Sequence, residues 1–215
     1  MNITVLIADD HAIVRDGLRY LLEAQGRYKV VGEAANGREA VRKVKELKPD
    51  IVIMDIVMAE LNGIEATEQI RKSHPSTRVI MLSMQSSTEP ILRSLKAGAS
   101  GYLLKECAGR ELVNAIYAVH GGKRYLSNKV SDQMMGAFLN QEENLKDPLS
   151  ILSQREREVL QLVVESKTSA EIADLLFLSI KTVKTYRSRL MTKLGIKDIP
   201  SLIKFAIQHG LTTVE

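Results

Sequence analysis

Three acids, one hydroxyl and one amine stand at the ends of short apolar runs: Asp9 and Asp10 after ITVLIA, Asp55 closing IVIMD, Ser83 after RVIML and Lys105 after GYLL. If those runs are strands of one parallel sheet, their carboxyl ends lie side by side, where open α/β sheets bind ligands. Three carboxylates drawn together repel one another, and some take up protons unless a cation neutralises them. A hard divalent ion with oxygen ligands answers that charge, and Mg²⁺, which keeps several waters and favours phosphate, fits best. An ionised Asp needs no general base to act as a nucleophile, so charge repulsion is what limits its attack on a phosphoryl group. Mg²⁺ on one side and the Lys105 ammonium on the other would relieve it, and the expected chemistry is an aspartyl phosphate on Asp55. Each group alone has a plainer reading: an Asp pair is a common helix cap, Ser83 a turn hydroxyl, Lys105 a solvated surface residue. Their joint placement at successive strand ends is what marks a site.

A second feature is local charge. Between Ser179 and Lys197 the chain holds Lys181, Lys184, Arg187, Arg189, Lys193 and Lys197, with no acid before Asp198. A segment so cationic expects a polyanion as its partner.

The elements that must position these groups fall into two patterns. From residue 1 to about 124, β-branched runs at Ile3 to Ala8, Lys29 to Glu33, Ile51 to Asp55, Arg78 to Leu82 and Gly101 to Leu104 alternate with stretches of helical period near 12–24, 37–47, 63–73, 88–97 and 109–120. Five strands alternating with five helices predict a doubly wound, five-stranded parallel sheet covered on both faces. Asn36 with Glu39 reads as a helix start, and Gly98 and Gly121 stand where C-terminal caps belong. Residues 125–147 read as a linker with one weakly apolar helical stretch followed by an acidic one. After Pro148 the strand signal ends, and residues 148–215 read as a smaller, all-α unit of four helices. Ser153 with Glu156 and Thr168 with Glu171 have capping-box spacing, Ser179 precedes the cationic helix, and Asp198 with Pro200 opens the last one. Helices near 169–176 and 180–194, separated by Phe177-Leu178-Ser179, have helix-turn-helix geometry. In the second of them Val183, Leu190 and Leu194 form a stripe expected to be buried, while Lys181, Lys184, Thr185 and Ser188 fall on other faces.

Composition removes other classes. The 215 residues are 45% hydrophobic and 26% charged with net charge +4, an ordinary globular balance that allows one large domain or two smaller ones. The single Cys107 forms no internal disulfide, and His11, His74, His120 and His209 do not combine with it at zinc-site spacing. Apolar runs are strand-sized and the N-terminus has no basic segment leading into an apolar one, so secretion and membrane spanning are not expected and a cytoplasmic location is.

The segments VLIADDH, IVIMDIVMAELNG, VIMLSM and GYLLKE closely resemble the flavodoxin-like receiver domain of two-component response regulators. The stretch LSQREREVLQLVVESKTSAEIADLLFLSIKTVKTYRSRLMTKLGI resembles the LuxR-type helix-turn-helix, and the order of the two is that of the NarL/FixJ class. The resemblance implies that a sensor histidine kinase phosphorylates Asp55, that Asp10, Asp55 and the Val57 carbonyl ligate Mg²⁺ with Asp9 helping through water, and that Lys105 pairs with the phosphate. It further implies that Ser83 and Tyr102 form a switch in which Ser83 swings to the phosphoryl group and the space it leaves admits Tyr102. Lys181, Lys184, Thr185 and Ser188 would face the major groove of promoter DNA, Thr182 and Arg187 would lie near phosphates, and Asp198 to Gln208 would help form a homodimer when the chain is phosphorylated.

Four residues depart from the family pattern: Ala59 and Glu106 stand where Pro is usual, Ser166 where Gly is usual, and Tyr186 where His is usual. Two rivals are an Mg²⁺-dependent phosphatase or phosphotransferase and a DNA-binding regulator that works without phosphorylation. The first generally carries its nucleophile after the first strand with a second acid two residues on, whereas here Asp9 and Asp10 are adjacent and the isolated Asp55 follows the third. The full acidic set with Ser83 and Lys105 ranks the second below a phosphorylated switch.

Overall fold

A computed structural model of the chain describes residues 2–139 and 148–212 and divides into two compact units, Met1–Leu145 and Lys146–Glu215. In the first, β1 (Ile3–Ala8), β2 (Tyr28–Ala34), β3 (Ile51–Asp55), β4 (Arg78–Ser83), β5 (Gly101–Leu104) and β6 (Tyr125–Leu126) form one parallel sheet in the order β2-β1-β3-β4-β5-β6. Side chains alternate across a strand, so in β3 Val52 and Met54 enter one core cluster and Ile51 and Ile53 the other. The first cluster is roofed by Ala40 and Val44 of α2 (Gly37–Leu47), Ile64 and Ile70 of α3 (Gly63–Ser73) and Ile91 of α4 (Thr88–Lys96). The second is roofed by Leu18 and Leu22 of α1 (Ala12–Glu23) and by Leu112, Ile116 and Val119 of α5 (Ala108–His120). Burial on both faces explains why these strands read as continuous apolar runs. The order reverses between β1 and β3, which places the carboxyl ends of those strands at the switch point of the sheet.

The sheet has six strands, one more than the sequence pattern predicts, and the sixth lies in the segment read as a linker. A two-residue strand has no period to detect. It exists because Gly122, at φ +87°, turns the chain after α5. The backbone then runs beside β5, with Tyr125 N–H donating to Ser100 O (3.1 Å) and Ser127 N–H to Tyr102 O (3.0 Å). Helix α6 (Asn128–Leu139) follows, and its fully buried Val130 packs in the cluster that holds Ile91, Tyr102 and Leu104. The weak helical stretch of that segment is thus part of the first unit, and residues 140–147 lie outside the described residues.

The second unit is all helical: a 3₁₀ turn (Pro148–Ile151), then α7 (Gln154–Val164), α8 (Ser169–Leu176), α9 (Ile180–Leu194) and α10 (Ile199–Gln208). Capping boxes form at Ser153/Glu156 and Thr168/Glu171, and the side chains of Ser179 and Asp198 accept from Thr182 N–H and Ser201 N–H. Val183 and Leu190 are fully buried, whereas Leu194, the last residue of α9 before the Gly195 cap, is only partly so. Ser166, after α7, adopts φ +62°, a conformation that costs an L-residue about 1–2 kcal/mol. Ser166→Gly would remove that strain against an entropic cost of about 0.5–1 kcal/mol. The expected net gain is about 0.5 kcal/mol, seen in thermal melts as a rise of roughly 2–4 °C for this unit. A lowered midpoint would refute the strain.

Candidate functional site

Burial and two hydrogen bonds fix the first acid. Asp9 leaves β1 with its N–H on Ala34 O (3.1 Å), and its carboxylate, 2% exposed, accepts from His11 N–H at 2.9 Å. Asp10 turns to the mouth, 38% exposed, with Oδ1 2.7 Å from His11 Nδ1. Asp55, at the end of β3, is buried and accepts from Ile56 N–H at 2.8 Å. Lys105, opening a single 3₁₀ turn after β5, places Nζ 2.7 Å from Asp9 Oδ2 and 2.9 Å from Asp55 Oδ2. Four of the five residues named from strand ends, Asp9, Asp10, Asp55 and Lys105, therefore converge. Burial pushes the Asp55 carboxyl up to about 6 against the pull of Lys105, so this pocket favours any cation that keeps the carboxylate charged. The ammonium of Lys105 is itself raised: burial opposes its charge, and Asp55 and Asp9 outweigh burial.

Asp9, Asp10, His11 and Asp55 each offer a ligand atom within 4.8 Å of the others. This donor set suits a divalent cation, with three carboxylate oxygens and one imidazole nitrogen. His11 has no zinc-site spacing to mark it; its adjacency to the Asp9–Asp10 pair is the signal that points to it. Val57 lies two residues past Asp55 in the β3–α3 loop, half-buried. That loop has little freedom. Gly63 opens α3 so close to the strand end that a Cβ there would sit 1.8 Å from Asp55 O, and its N–H donates to Ile56 O at 2.9 Å. Gly37 N–H binds Leu61 O (3.1 Å), and Asn36 Nδ2 reaches Glu60 Oε1 (3.4 Å), so α2 tethers the turn in which Ala59 replaces the usual Pro.

Ser83 ends β4 fully buried, its Oγ accepting from Gln85 N–H at 3.0 Å. The Tyr102 hydroxyl donates to Gln85 O at 2.7 Å, and burial of the phenol pushes it up to about 12 against a hydrogen bond from Ser83. The ring is fully buried. Gln85, which joins the two, carries no sequence signal that singles it out. Glu106 pairs with Lys129 of α6 at 2.8 Å, and no peptide bond among the described residues is cis, so the missing Pro leaves an ordinary backbone. Cys107 is half-buried, and burial together with Glu111 and Glu106 raises its thiol.

In the second unit, Lys181, Thr185, Ser188 and Thr192 recur at intervals of four, three and four along α9 and are exposed, with Lys184 beside them. They form one stripe opposite Val183 and Leu190, which pack into the core. Thr182 is half-buried with its hydroxyl 2.8 Å from Ser179 Oγ, and Arg187 is half-buried and donates to Ser169 Oγ at 3.0 Å. Lys193, one of the cationic run, is spoken for by the buried Glu156 carboxylate at 2.6 Å. Tyr186 packs against the helical core.

Residues 5–117 match the family of response regulator receiver domains, and residues 150–206 match the luxR family of bacterial regulatory proteins. The chain belongs to the LuxR-type response regulators. This response regulator is 40% identical over 212 residues to the oxygen regulatory protein NreC of Staphylococcus aureus, which covers 96% of this chain and 98% of that protein. It is similar to RcsB of Salmonella typhimurium (30% identity, TM-score 0.61, 95% and 97% of the two chains). A LuxR-family two-component response regulator from Aurantimonas matches 65% of this chain and 99% of its own (37% identity, TM-score 0.63). RcsB has also been solved as a complex with DNA, matched at 29% identity and TM-score 0.60 over 97% of this chain and 99% of that one. A receiver domain implies a kinase as partner and a LuxR-type helix-turn-helix implies DNA as ligand, which identifies this response regulator as a regulator of transcription. Among the described residues no helix is long and apolar enough to cross a membrane.

Proposed function

We propose that this cytoplasmic response regulator takes a phosphoryl group from a sensor histidine kinase onto Asp55 and, as a homodimer, reads promoter DNA with α9. The observation that carries the reading is the Lys105 ammonium, 2.7 and 2.9 Å from two buried carboxylates at the ends of β1 and β3. Asp55 attacks the phosphohistidine: an Asp55 O–P bond forms as the N–P bond breaks, and the imidazole nitrogen keeps the electron pair and is protonated from solvent. Asp9, Asp10, Asp55 and the Val57 carbonyl would hold Mg²⁺, which when bound offsets the charge that opposes this attack. Lys105 is already beside Asp55 Oδ2 and pairs with the phosphoryl oxygens without having to travel. Ser83 then donates to a phosphoryl oxygen, giving up its place between Gln85 N–H and Tyr102.

A hydrogen bond to a charged acceptor is worth roughly 1.5–3 kcal/mol, enough to shift a two-state equilibrium about ten- to a hundred-fold. Such a switch reverses, and slow loss of phosphate by hydrolysis of the acyl phosphate resets it. On DNA, a dimer would set two copies of α9 on half-sites about one helical turn apart, and affinity should fall steeply with salt. The test is labelling of the full chain by acetyl phosphate with Mg²⁺ and with a chelator, followed by DNA binding of both forms. Mg²⁺-dependent labelling that tightens DNA binding is expected. Equal DNA binding with and without phosphate would favour the regulator that ignores phosphorylation.

A further inference from the structure

The acidic pocket has a support that the phosphoacceptor chemistry does not use. Arg15, on the first turn of α1, sends Nη1 to the backbone oxygen of Asp9 at 2.7 Å and Nε to Glu33 Oε2 at 3.1 Å. Its side chain is 16% exposed. Glu33 is in turn held on its other oxygen by Arg19 Nε at 2.8 Å, and its backbone oxygen accepts from Lys43 Nζ. Burial raises the Glu33 carboxyl, but the two guanidiniums outweigh burial and hold it below its ordinary range, so the anchor stays charged.

Arg15 therefore ties the Asp9–Asp10 peptide to β2. The Asp9 N–H is fixed on Ala34 O (3.1 Å) and its C=O on Arg15, so both ends of that residue are held. With the peptide so held, the Asp9 carboxylate points inward, 2% exposed, and Asp10 turns to the mouth at 38%. Adjacent carboxylates repel and would splay apart if the peptide between them could rotate.

We propose that Arg15 is a positioning residue of the cation pocket: by clamping the Asp9 carbonyl against Glu33 it presets the two neighbouring carboxylates for a divalent ion. This rests on the reading of the pocket as an Mg²⁺ site. A guanidinium serves both acceptors because its donors form a planar fork, and an ammonium on a longer-swinging stem does not. Residues that orient metal ligands typically change affinity about 10- to 100-fold when removed.

The experiment measures Mg²⁺ affinity of the full chain by calorimetry, with the thermal midpoint and the rate of acetyl-phosphate labelling at limiting and saturating Mg²⁺. Arg15→Ala is expected to weaken Mg²⁺ binding by about tenfold or more, slowing labelling at limiting Mg²⁺ and restoring it at saturation. Arg15→Lys, which keeps charge and stem, is expected to weaken binding about threefold and settles the matter if the Ala variant does not fold. Unchanged Mg²⁺ affinity in Arg15→Lys and Arg15→Ala, with only a lowered melting midpoint, would overturn the proposal and leave Arg15 a tie between α1 and β2. If the unaltered chain binds no Mg²⁺, the reading of the pocket falls and the proposal with it.

Discussion

Asp55→Asn is expected to abolish phosphoryl labelling by acetyl phosphate or kinase while leaving the receiver folded. The amide has the shape of the carboxylate but no charge and no nucleophilic oxygen of comparable strength. The fold should tolerate it, because the wild-type carboxylate is buried and carries a desolvation penalty that raises it to about 6. Asn keeps an acceptor for the Ile56 N–H, which now binds Asp55 Oδ1 at 2.8 Å. Lys105 loses one of two partners and keeps Asp9 at 2.7 Å. Intact-mass measurement should find no phosphorylated species in the variant under conditions that label the parent, with a melting midpoint near the parent's. Undiminished labelling would move the phosphoacceptor elsewhere. Labelling lost together with cooperative melting would show that the residue is chiefly a structural one.

The second large effect concerns α9. Lys181→Ala with Lys184→Ala removes two cations from the exposed stripe and touches nothing in the helical core. Binding to duplex DNA should weaken about ten- to a hundred-fold at moderate salt. The slope of log affinity against log salt should fall by up to about 2, because two fewer counterions are released. Lys193→Ala makes the informative contrast. Lys193 holds the Glu156 carboxylate, 4% exposed, at 2.6 Å, so its loss leaves a buried charge without its cation, held by the Ser153 N–H, and should lower stability more than DNA affinity. A salt slope unchanged by the double substitution would mean that another face meets the nucleic acid.

That contrast also shows what the sequence could not resolve. Lys181 and Lys193 look equivalent within the cationic run, and only the packing of α7 on α9 decides that one is exposed and the other paired. Positions fixed by local rules were readable: the capping boxes at Ser153 and Thr168, the Phe177-Leu178-Ser179 turn, and the strand ends carrying Asp9, Asp55, Ser83 and Lys105. Groups whose role depends on a partner far along the chain were not. Arg15 meets Glu33 across 18 positions, and Gln85 accepts from Tyr102 across 17, separations that leave no trace in periodicity. His11 is not marked by metal spacing rules, which look for its own kind or Cys and not for an adjacent acid pair. Tyr102 falls at a strand position in the sequence pattern, but its inward ring depends on α4 and α6 closing over it.

The short strand β6 and helix α6 bear on how such proteins can be recombined. Periodicity suggests cutting after residue 124, yet a gene fusion made there would discard Val130 from the receiver's interior and the Ser127 N–H that caps Tyr102 O at 3.0 Å. A foreign effector grafted at that seam would inherit an unsealed edge beside the tyrosine. Chimaeras that carry the receiver through residue 139 keep the edge closed, so the natural unit of exchange is longer than the repeating strand-helix pattern advertises.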